Sequence, residues 1–442
     1  MPDPVDPQVE FYLRQARRLS KAGLYDDAIA QFDKVLQRQP SLSEVWFERG
    51  KALYGLQRYD KAIESLKESI LLKSDFEPAW NMQGMALSQL DRHAEAISSY
   101  DQAIRLLPTN FKAWYNRANA LLKLGSTYEA LHSYEETLKR RPNYTKAWYN
   151  RGIVLTQLNR FEDAIDSYRQ ALLNRPHFSS AHYNLGNLYY RLGRYEEALS
   201  SYAQVLEIRP DLYEVWYNQA NAFHRAGRHE RAIESYTQTL ALKPNSIEAW
   251  YNRGNTFDAL CQYERAIEDY QQALKLKPEF YEAWYNLGGA CQKLGRYEEA
   301  IAHYDQAIRY KPQFHEAWSS RGFALGKVNR YEAAIESFDQ AIALNPDVDE
   351  VWYRRGKALE HLGKSEMAIA SYNTALSLNP KNDKIWYSRG ISLSRAGRDA
   401  EAVESFEKAI ALNSALSDAK HRIEKAIASN LDLLAAKPHL DH

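Results

Sequence analysis

Residues 247–280 read IEAWYNRGNTFDALCQYERAIEDYQQALKLKPEF, and residues 281–314 read YEAWYNLGGACQKLGRYEEAIAHYDQAIRYKPQF. The two stretches have the same length, 34 residues, and place Trp, Gly, Ala, Tyr and Pro at the same points. A short unit that recurs at constant spacing indicates a repeat protein rather than several globular domains. The 442 residues are therefore to be understood as copies of one unit.

A lattice with a period of 34 residues runs through most of the chain. All ten tryptophans occupy it, His182 fills the one gap, and Tyr12 stands one period before the first tryptophan, which makes twelve repeats. Counted from this lattice residue as position 0, position +4 is always Gly or Ala, position +16 is always Ala, and position +20 is Tyr, Phe or Leu. The lattice tryptophans are Trp46, Trp80, Trp114, Trp148, Trp216, Trp250, Trp284, Trp318, Trp352 and Trp386.

Each repeat has the pattern of two helices joined by a tight turn. In the repeat around Trp250, residues 247–260 and 263–276 both carry apolar side chains at helical spacing. A polar break separates the two stretches, and Pro278 closes the repeat. The sequence therefore predicts helix, turn and helix in every repeat.

The apolar pattern also predicts that the repeats stack. Gly254 costs roughly 1 kcal/mol of helix propensity relative to Ala, which indicates that a second helix approaches its backbone, with Ala266 as the expected facing residue. We expect Trp250 and Tyr270 to bury large rings that one hairpin cannot cover alone. Neighbouring hairpins must then supply the missing wall.

This arrangement of W, G, A, F/Y and P resembles the tetratricopeptide repeat over residues 9–416, without an insertion. The resemblance implies an all-α fold, a right-handed α-solenoid (superhelix) of antiparallel helix pairs, with first helices lining a concave groove and second helices on the convex side. We expect a short N-terminal arm at 1–8, twelve repeats in one continuous solenoid at 9–416, a C-terminal capping helix at 417–435 and a frayed tail at 436–442.

Composition argues against several classes of partner. Lys+Arg and Asp+Glu both number 57, so no net field attracts nucleic acid or an anionic membrane surface. Cys261 and Cys291 cannot make a disulfide framework or a zinc site, and such scarcity suits a reducing compartment. No secretion signal or membrane span is recognised in the sequence. We expect a cytoplasmic protein that uses no metal and no cofactor.

Helical geometry selects the residues that face the groove. At about 100° per residue, positions −2, +2, +5 and +9 lie opposite the packed side marked by positions 0, +4 and +7. Asparagine occupies position +2 in six consecutive repeats and position +5 in four of them. The ten candidate groove residues are Asn116, Asn119, Asn150, Asn184, Asn187, Asn218, Asn221, Asn252, Asn255 and Asn286.

These amides predict capture of an extended peptide. A side-chain amide carries a donor and an acceptor, so it can pair with a peptide backbone whatever the peptide's side chains are. The row resembles the asparagine ladder of the tetratricopeptide regions of O-linked N-acetylglucosamine transferase and kinesin light chain, which implies main-chain binding. The alternative is that repeat duplication copied solvated polar residues.

Tyrosines at position +1 flank the same groove. We expect their rings to pack against the neighbouring hairpin, with the hydroxyls at the groove rim. The flanking residues are Tyr149, Tyr183, Tyr217 and Tyr251.

Charge along the groove is uneven, with carboxylates at position −2 of the later repeats and cations at position +9. We interpret these rows as ordinary pairing between adjacent first helices rather than as a charged pocket. The two-carboxylate clamp of chaperone-binding tetratricopeptide proteins needs Lys at position +1 of one repeat, and Lys at −2 with Arg at +2 two repeats later. Position +1 is never Lys, and Arg14 and Arg354 have Glu10 and Glu350 at their −2 positions, so the clamp is absent.

No nucleotide-binding, nucleophile-elbow or zinc-protease motif occurs in the sequence, and we expect no enzyme activity. The leading hypothesis is a scaffold or adaptor that binds extended segments of client proteins in the groove between the fourth and ninth repeats. The alternative is a complex-assembly factor that holds folded partners, or copies of itself, through the convex face or the solenoid ends. Homo-oligomerisation is compatible with the sequence but not indicated. RNA binding is disfavoured by the neutral charge, and a regulatory subunit of a separate enzyme stays open.

Overall fold

The computed structural model describes residues 7–413 together with His421, Ile423 and Glu424. That part of the chain contains twenty-four α-helices and no β-strand. The helices are α1 (Pro7–Lys21), α2 (Tyr25–Arg38), α3 (Ser43–Gly55), α4 (Tyr59–Leu72), α5 (Glu77–Gln89), α6 (His93–Leu106), α7 (Phe111–Lys123), α8 (Thr127–Arg140), α9 (Thr145–Gln157), α10 (Phe161–Asn174), α11 (Ser179–Arg191), α12 (Tyr195–Ile208), α13 (Tyr213–Arg225), α14 (His229–Leu242), α15 (Ile247–Ala259), α16 (Tyr263–Leu276), α17 (Tyr281–Lys293), α18 (Tyr297–Tyr310), α19 (His315–Lys327), α20 (Tyr331–Leu344), α21 (Asp349–His361), α22 (Ser365–Leu378), α23 (Asp383–Arg395) and α24 (Asp399–Leu412).

The chain divides into two compact units, called unit 1 (Met1–Pro210, with α1 to α12) and unit 2 (Asp211–His442, with α13 to α24). Within each unit every odd-numbered helix packs against the even-numbered helix that follows it, and each pair packs against the next pair. The predicted all-α solenoid of antiparallel helix pairs is confirmed in both units. The continuity of the repeats from 9 to 416 as one solenoid stays a prediction.

The turn inside each helix pair depends on one residue with left-handed backbone. At position +11, φ lies between 56° and 80° in all twelve repeats. Seven of these residues are Gly, which adopts such angles without steric cost. The other five are Gln57, Asp91, Asn159, Cys261 and Asn329. This turn lets the second helix fold back on the first after three linking residues, as between α3 and α4.

The core of each pair is a large buried side chain at position +20, an aromatic ring in eleven repeats and Leu66 in one, packed on a small residue at position +4. Tyr270 is 1% exposed, and a Cβ atom on Gly254 would lie 2.8 Å from its ring. The same Cβ atom would lie 3.4 Å from the carbonyl oxygen of Ala266. Gly254 is therefore required chiefly by the Tyr270 ring, whereas the sequence pointed to Ala266 as the facing residue.

The lattice tryptophan is only partly buried, whereas the sequence predicted a buried ring. Its indole forms a hydrogen bond to the linker that precedes its helix. Trp250 is partly buried; its indole Nε1 donates to the carbonyl oxygen of Pro244 at 2.9 Å, and the Arg253 guanidinium lies 4.8 Å from the ring centroid. His182 reproduces this bond, with Nε2 at 2.8 Å from the carbonyl oxygen of Pro176. His182 therefore makes the same side-chain hydrogen bond to the preceding linker that Trp250 makes in its own repeat.

The predicted terminal segments lie almost entirely outside the described residues. Helix α1 begins at Pro7, within the stretch expected to form an arm. Of the predicted capping helix at 417–435, only His421, Ile423 and Glu424 are described, and all three are helical. Ile423 packs against the cluster that contains Phe406 of the last helix pair. The tail at 436–442 is not among the described residues.

Candidate functional site

The first helices of successive repeats lie on the inner side of each unit. Within unit 1, α3 approaches α5 and α5 approaches α7, although a second helix separates them in sequence. Within unit 2, α13 approaches α15, and this pattern continues to α21 and α23. Because neighbours come closest on the inside of a curve, the first-helix side of each unit is its concave side. The candidate asparagines all belong to first helices.

The ten asparagines divide between the two units, and all of them are partly buried. Unit 1 holds Asn116, Asn119, Asn150, Asn184 and Asn187. Unit 2 holds Asn218, Asn221, Asn252, Asn255 and Asn286. The predicted row of asparagines is therefore divided between the concave faces of the two units.

In unit 1 the amides belong to a hydrogen-bond network that crosses from one repeat to the next. Asn150 Nδ2 lies 3.2 Å from the Tyr115 hydroxyl and 3.2 Å from Asn119 Oδ1, both in the preceding repeat. The buried Tyr134 hydroxyl donates to the same Asn119 oxygen at 2.6 Å. Similarly, Asn184 Nδ2 donates to the Tyr149 hydroxyl at 3.1 Å.

Unit 2 repeats this network with the equivalent residues. Asn286 Nδ2 donates to the Tyr251 hydroxyl at 3.0 Å and to Asn255 Oδ1 at 2.9 Å. The Tyr270 hydroxyl donates to Asn255 Oδ1 at 2.8 Å. One repeat earlier, Asn252 Nδ2 donates to the Tyr217 hydroxyl at 2.9 Å.

The network decides which amide atoms are left for a ligand. In Asn286 the nitrogen is engaged, while its Oδ1 accepts no hydrogen bond from the described residues. In Asn255 the oxygen accepts twice, and the amide also makes a hydrogen bond to the Tyr251 hydroxyl of its own helix. Asn286 therefore keeps an acceptor for a ligand. Such an acceptor matches the N–H group of an extended peptide.

The flanking tyrosines combine packing with this network. The Tyr149 ring lies 6.1 Å from the Tyr168 ring and 4.8 Å from the Phe178 ring, centroid to centroid. The Tyr251 ring lies 6.0 Å from Tyr270 and 4.7 Å from Phe280. Tyr183 and Tyr217 pack in the same way against Tyr202 and Tyr236. Burial raises the pKa of Tyr251, so its hydroxyl stays protonated at neutral pH. The sequence suggested ring packing against the neighbouring hairpin, whereas these ring contacts lie within one repeat; it is the hydroxyls that contact the next repeat, through Asn184 and Asn286.

A depression lies beside the asparagines in each unit. In unit 1 a volume of about 250 Å³ is lined by Asn116, Asn119, Lys123 and the end of α5. In unit 2 a volume of about 330 Å³ is lined by Asn255, Asn286, Gly289 and the end of α17. Each volume is large enough for a side chain of a bound peptide.

Gly289 was missed by the sequence reasoning as a lining residue. It follows Gly288 directly, and a Cβ atom on Gly289 would meet nothing within 4 Å, whereas one on Gly288 would meet the Tyr304 ring at 2.8 Å. Gly289 also replaces the Asn that occupies position +5 in the preceding repeat. The signal in the sequence was this second glycine, which the 34-residue lattice does not require.

Charged residues on the concave faces pair differently from the expectation. Lys293 Nζ lies 2.7 Å from Asp258 Oδ2, and Arg395 Nη1 lies 3.1 Å from Glu360 Oε1, so cations at position +9 pair with carboxylates at position +8 of the preceding repeat. Glu350, at position −2, pairs instead with Arg354 in its own helix at 2.8 Å. Pairing between adjacent first helices is confirmed, but the carboxylates at position −2 are not the partners in these pairs.

Among the described residues, no group of three or more His, Cys, Asp or Glu side chains is placed to hold a metal ion. Among these residues no helix has both the length and the apolar character that crossing a membrane requires. Burial raises the pKa of the Cys291 thiol to about 11, so this thiol is protonated at neutral pH.

Three solved structures illustrate the structural similarity of the chain to known proteins. MamA has 25% identity and a TM-score of 0.37, and the match covers 38% of this chain and 92% of MamA. YrrB, described as a TPR protein with an unusual peptide-binding site, has 22% identity and a TM-score of 0.40, covering 43% of this chain and 97% of YrrB. The Cut9–Hcn1 structure has 13% identity and a TM-score of 0.40, covering 96% of each chain. A comparison with curated protein sequences gave no match.

Sequence profiles of the repeat match along most of the chain. The tetratricopeptide repeat profile matches residues 13–75, 115–177, 155–213, 183–247, 251–314, 320–383 and 362–417. A second profile, TPR repeat, matches residues 84–125. These matches cover more than half of the chain and coincide with the helix pairs of both units. The chain therefore belongs to the tetratricopeptide repeat family.

Proposed function

We propose that this chain is a non-enzymatic scaffold or adaptor that binds extended peptide segments of client proteins on its concave faces. The family in general serves protein–protein interaction. The observation that carries the finer proposal is the Asn286 oxygen, which accepts no hydrogen bond from the described residues and lies beside the depression at Gly289. An amide held by its nitrogen, with its oxygen left for a ligand, suits a peptide backbone better than it suits solvated residues left by duplication.

The expected affinity is modest unless side chains contribute. Each backbone hydrogen bond adds about 0.5–1.5 kcal/mol net. Ordering a flexible peptide opposes these bonds by about 2–5 kcal/mol. The depressions beside the asparagines, such as the one of about 330 Å³ at Gly289, are where client side chains would add affinity and selectivity.

The test compares retention of a randomised peptide library on immobilised wild-type protein and on a variant with Ala at Asn150, Asn184, Asn252 and Asn286. We expect the variant to lose most of the retained peptides, because it lacks the acceptors of both faces. Gln271→Ala, an exposed amide on second helix α16, is one control, since it removes a side-chain amide of unit 2 away from the concave face. Asn174→Ala, at the exposed end of second helix α10, is the other. Circular dichroism verifies that each variant is folded.

Retention that survives the quadruple substitution would reject the asparagine face as the binding site. The same result would follow if the two controls lost as many peptides as the quadruple variant, since the loss would then reflect stability. A native protein extract, passed over the same columns, separates capture of peptides from capture of folded partners.

A second candidate function is assembly with folded partners through the second-helix side. One observation favours it: in unit 2, position +26 carries a half-exposed apolar residue in all six repeats. These residues are Leu242, Leu276, Tyr310, Leu344, Leu378 and Leu412. Leu276→Glu with Leu344→Glu should abolish capture of folded partners if this row binds them, and should leave peptide retention unchanged.

A further inference from the structure

A second depression on the concave face of unit 2 differs in chemistry from the one beside the asparagines. It has a volume of about 320 Å³ and lies between α19 and α21, two repeats further along the chain. Here Arg354 and Lys357 occupy positions +2 and +5, where earlier repeats carry asparagine. Phe323 and Lys327 of α19 complete the inner wall.

Gly326 keeps this depression open. A Cβ atom on Gly326 would meet nothing within 4 Å, and its backbone is helical, so neither packing nor a left-handed turn requires glycine. All other repeats carry a side chain at this position, +8, which would project into the same space. Glycine without a local structural reason is typical of a place where a ligand approaches the backbone.

The lining has an excess of positive charge. Arg354 pairs with Glu350 at 2.8 Å, and Lys357 pairs with Glu360 at 3.1 Å. Glu360 is shared, because its other oxygen accepts from Arg395 at 3.1 Å. Two carboxylates, Glu350 and Glu360, therefore pair with three cations. Lys327 adds a fourth cation, and no carboxylate of the described residues lies within 4.0 Å of it.

Aromatic rings hold the cations in place on the walls. The Arg354 guanidinium lies 4.6 Å from the Phe323 ring centroid, and Lys327 Nζ lies 5.3 Å from the same centroid. On the opposite side Tyr331 and His361 stack, with centroids 4.6 Å apart and ring planes 4° apart. Cations that are positioned before a ligand arrives lose less conformational entropy on binding it.

We propose that this depression, called the Gly326 pocket (Gly326, Phe323, Lys327, Arg354 and Lys357), binds an oxyanion carried by a side chain of the bound client peptide. The inference rests on the proposed peptide-binding function and adds to it a preference for an acidic or phosphorylated residue at one place in the segment. A carboxylate and a phosphate offer the same oxygen acceptors to Lys and Arg. The site is distinct from the two-carboxylate clamp, since its cations stand at positions +9, +2 and +5 with Glu350 at −2.

The experiment uses the full chain, immobilised, and two randomised peptide libraries that are identical except that one contains phosphoserine in place of serine. Peptides retained by wild type are sequenced and compared with those retained by Gly326→Leu, which fills the pocket, and by Lys327→Ala. Lys327 is exposed, so its removal leaves the packing intact if the leucine variant does not fold. The matched control is Lys275→Ala, an exposed lysine on second helix α16 of the same unit. Inorganic phosphate alone is titrated by calorimetry.

We expect wild type and Lys275→Ala to enrich Asp, Glu or phosphoserine at one position of the retained peptides. The pocket variants should reduce this enrichment about tenfold, the ratio that ~1.4 kcal/mol of binding free energy gives. Enrichment in the first library identifies a carboxylate ligand, and enrichment confined to the second identifies a phosphorylated one.

Four outcomes would overturn the proposal. Retained peptides without any anionic preference would reject the pocket alone and leave the asparagine face standing. An anionic preference that persists in both pocket variants would place it elsewhere, and binding of inorganic phosphate without a preference in either library would make the pocket a free-anion site. If wild type retains no peptides, the proposed function fails and this inference fails with it.

Discussion

At the scale of single residues, Gly288 and Gly289 show how differently two adjacent glycines of α17 are used. A Cβ atom on Gly288 would lie 2.8 Å from the Tyr304 ring and 3.2 Å from the carbonyl oxygen of Ala300. One on Gly289 would meet open space above the depression. The first glycine serves packing between the two helices of a pair, and the second serves the binding surface.

The two glycines should therefore respond to alanine with opposite sign. Gly288→Ala forces the buried Tyr304 ring to move and should lower the free energy of unfolding of its region by about 1–3 kcal/mol. Gly289→Ala should raise it by about 0.5–1 kcal/mol, because alanine favours the helix and meets no neighbour. Amide hydrogen exchange of α17 and α18 measures both changes locally. Equal effects of the two substitutions would contradict the packing role of Gly288.

At the scale of helices, an arginine at position +3 joins three consecutive elements. Arg321 of α19 donates from Nε to Asp305 of α18 at 2.5 Å and from Nη1 to Ser337 of α20 at 2.7 Å. The same bridge recurs at Arg49, Arg117 and Arg355. The Arg321 guanidinium therefore links Asp305 of the preceding repeat to Ser337 of its own repeat.

Removal of one bridge should weaken one joint of the stack. We expect Arg321→Met to lower the free energy of unfolding by about 1 kcal/mol, since the methionine keeps most of the stem packing but loses the charged hydrogen bonds at a partly exposed site. Arg309→Met, an exposed residue of α18, is the control. Urea unfolding followed by circular dichroism measures both variants, and an unchanged midpoint for Arg321→Met would show that the bridge adds no stability. Leu287 at the equivalent position shows that a repeat also tolerates an apolar residue there.

At the scale of the whole molecule, the repeated buried tyrosine makes stability sensitive to alkali in both units. Burial raises the pKa of the hydroxyl at position +20 wherever a shift is resolved, and for Tyr168 the pKa rises from 10.0 to about 12. Other tyrosines of this row with a raised pKa are Tyr100, Tyr134, Tyr202, Tyr270, Tyr304 and Tyr372. Each is neutral in the folded chain at a pH where the unfolded chain ionises.

The sign of the pH dependence follows from these raised pKa values. Stability from the row is fully present below pH 10.0, the ordinary pKa of tyrosine, and is lost as the pH rises toward about 12, the folded pKa of Tyr168. Each group costs at most about 1.4 kcal/mol per pH unit in this window. Helical circular dichroism and tyrosinate absorbance, recorded together against pH, should change in parallel. Ionisation of these tyrosines without loss of helix would contradict the prediction.

A Tyr168→Phe variant isolates the contribution of one tyrosine hydroxyl to the loss of stability in alkali. Phe338 and Phe406 occupy position +20 in other repeats and are buried, so phenylalanine is compatible with the packing. The variant should lose helix at a higher pH than wild type, because one group that ionises on unfolding is gone. An identical alkaline midpoint would mean that Tyr168 does not contribute.

The sequence by itself determined the period, the helix pairs, the turns and the buried side of each helix. These follow from local spacing, because the residue types of Gly254 at position +4 and Tyr270 at position +20 recur every 34 residues. In a helix such spacing determines which side chains share one side. The candidate asparagines were found in the same way, since a helix of known phase shows which positions oppose its packed side.

Only the tertiary structure decided what those positions do. The hydrogen bond from Asn286 to Tyr251 joins residues 35 apart in the chain, and the one to Asn255 joins residues 31 apart. Whether an amide presents its oxygen or its nitrogen depends on such contacts between helices, which a pattern within one helix does not contain. The same holds for the partial exposure of Trp250 and for the Gly326 pocket, because empty space is defined by the atoms of neighbouring repeats that surround it.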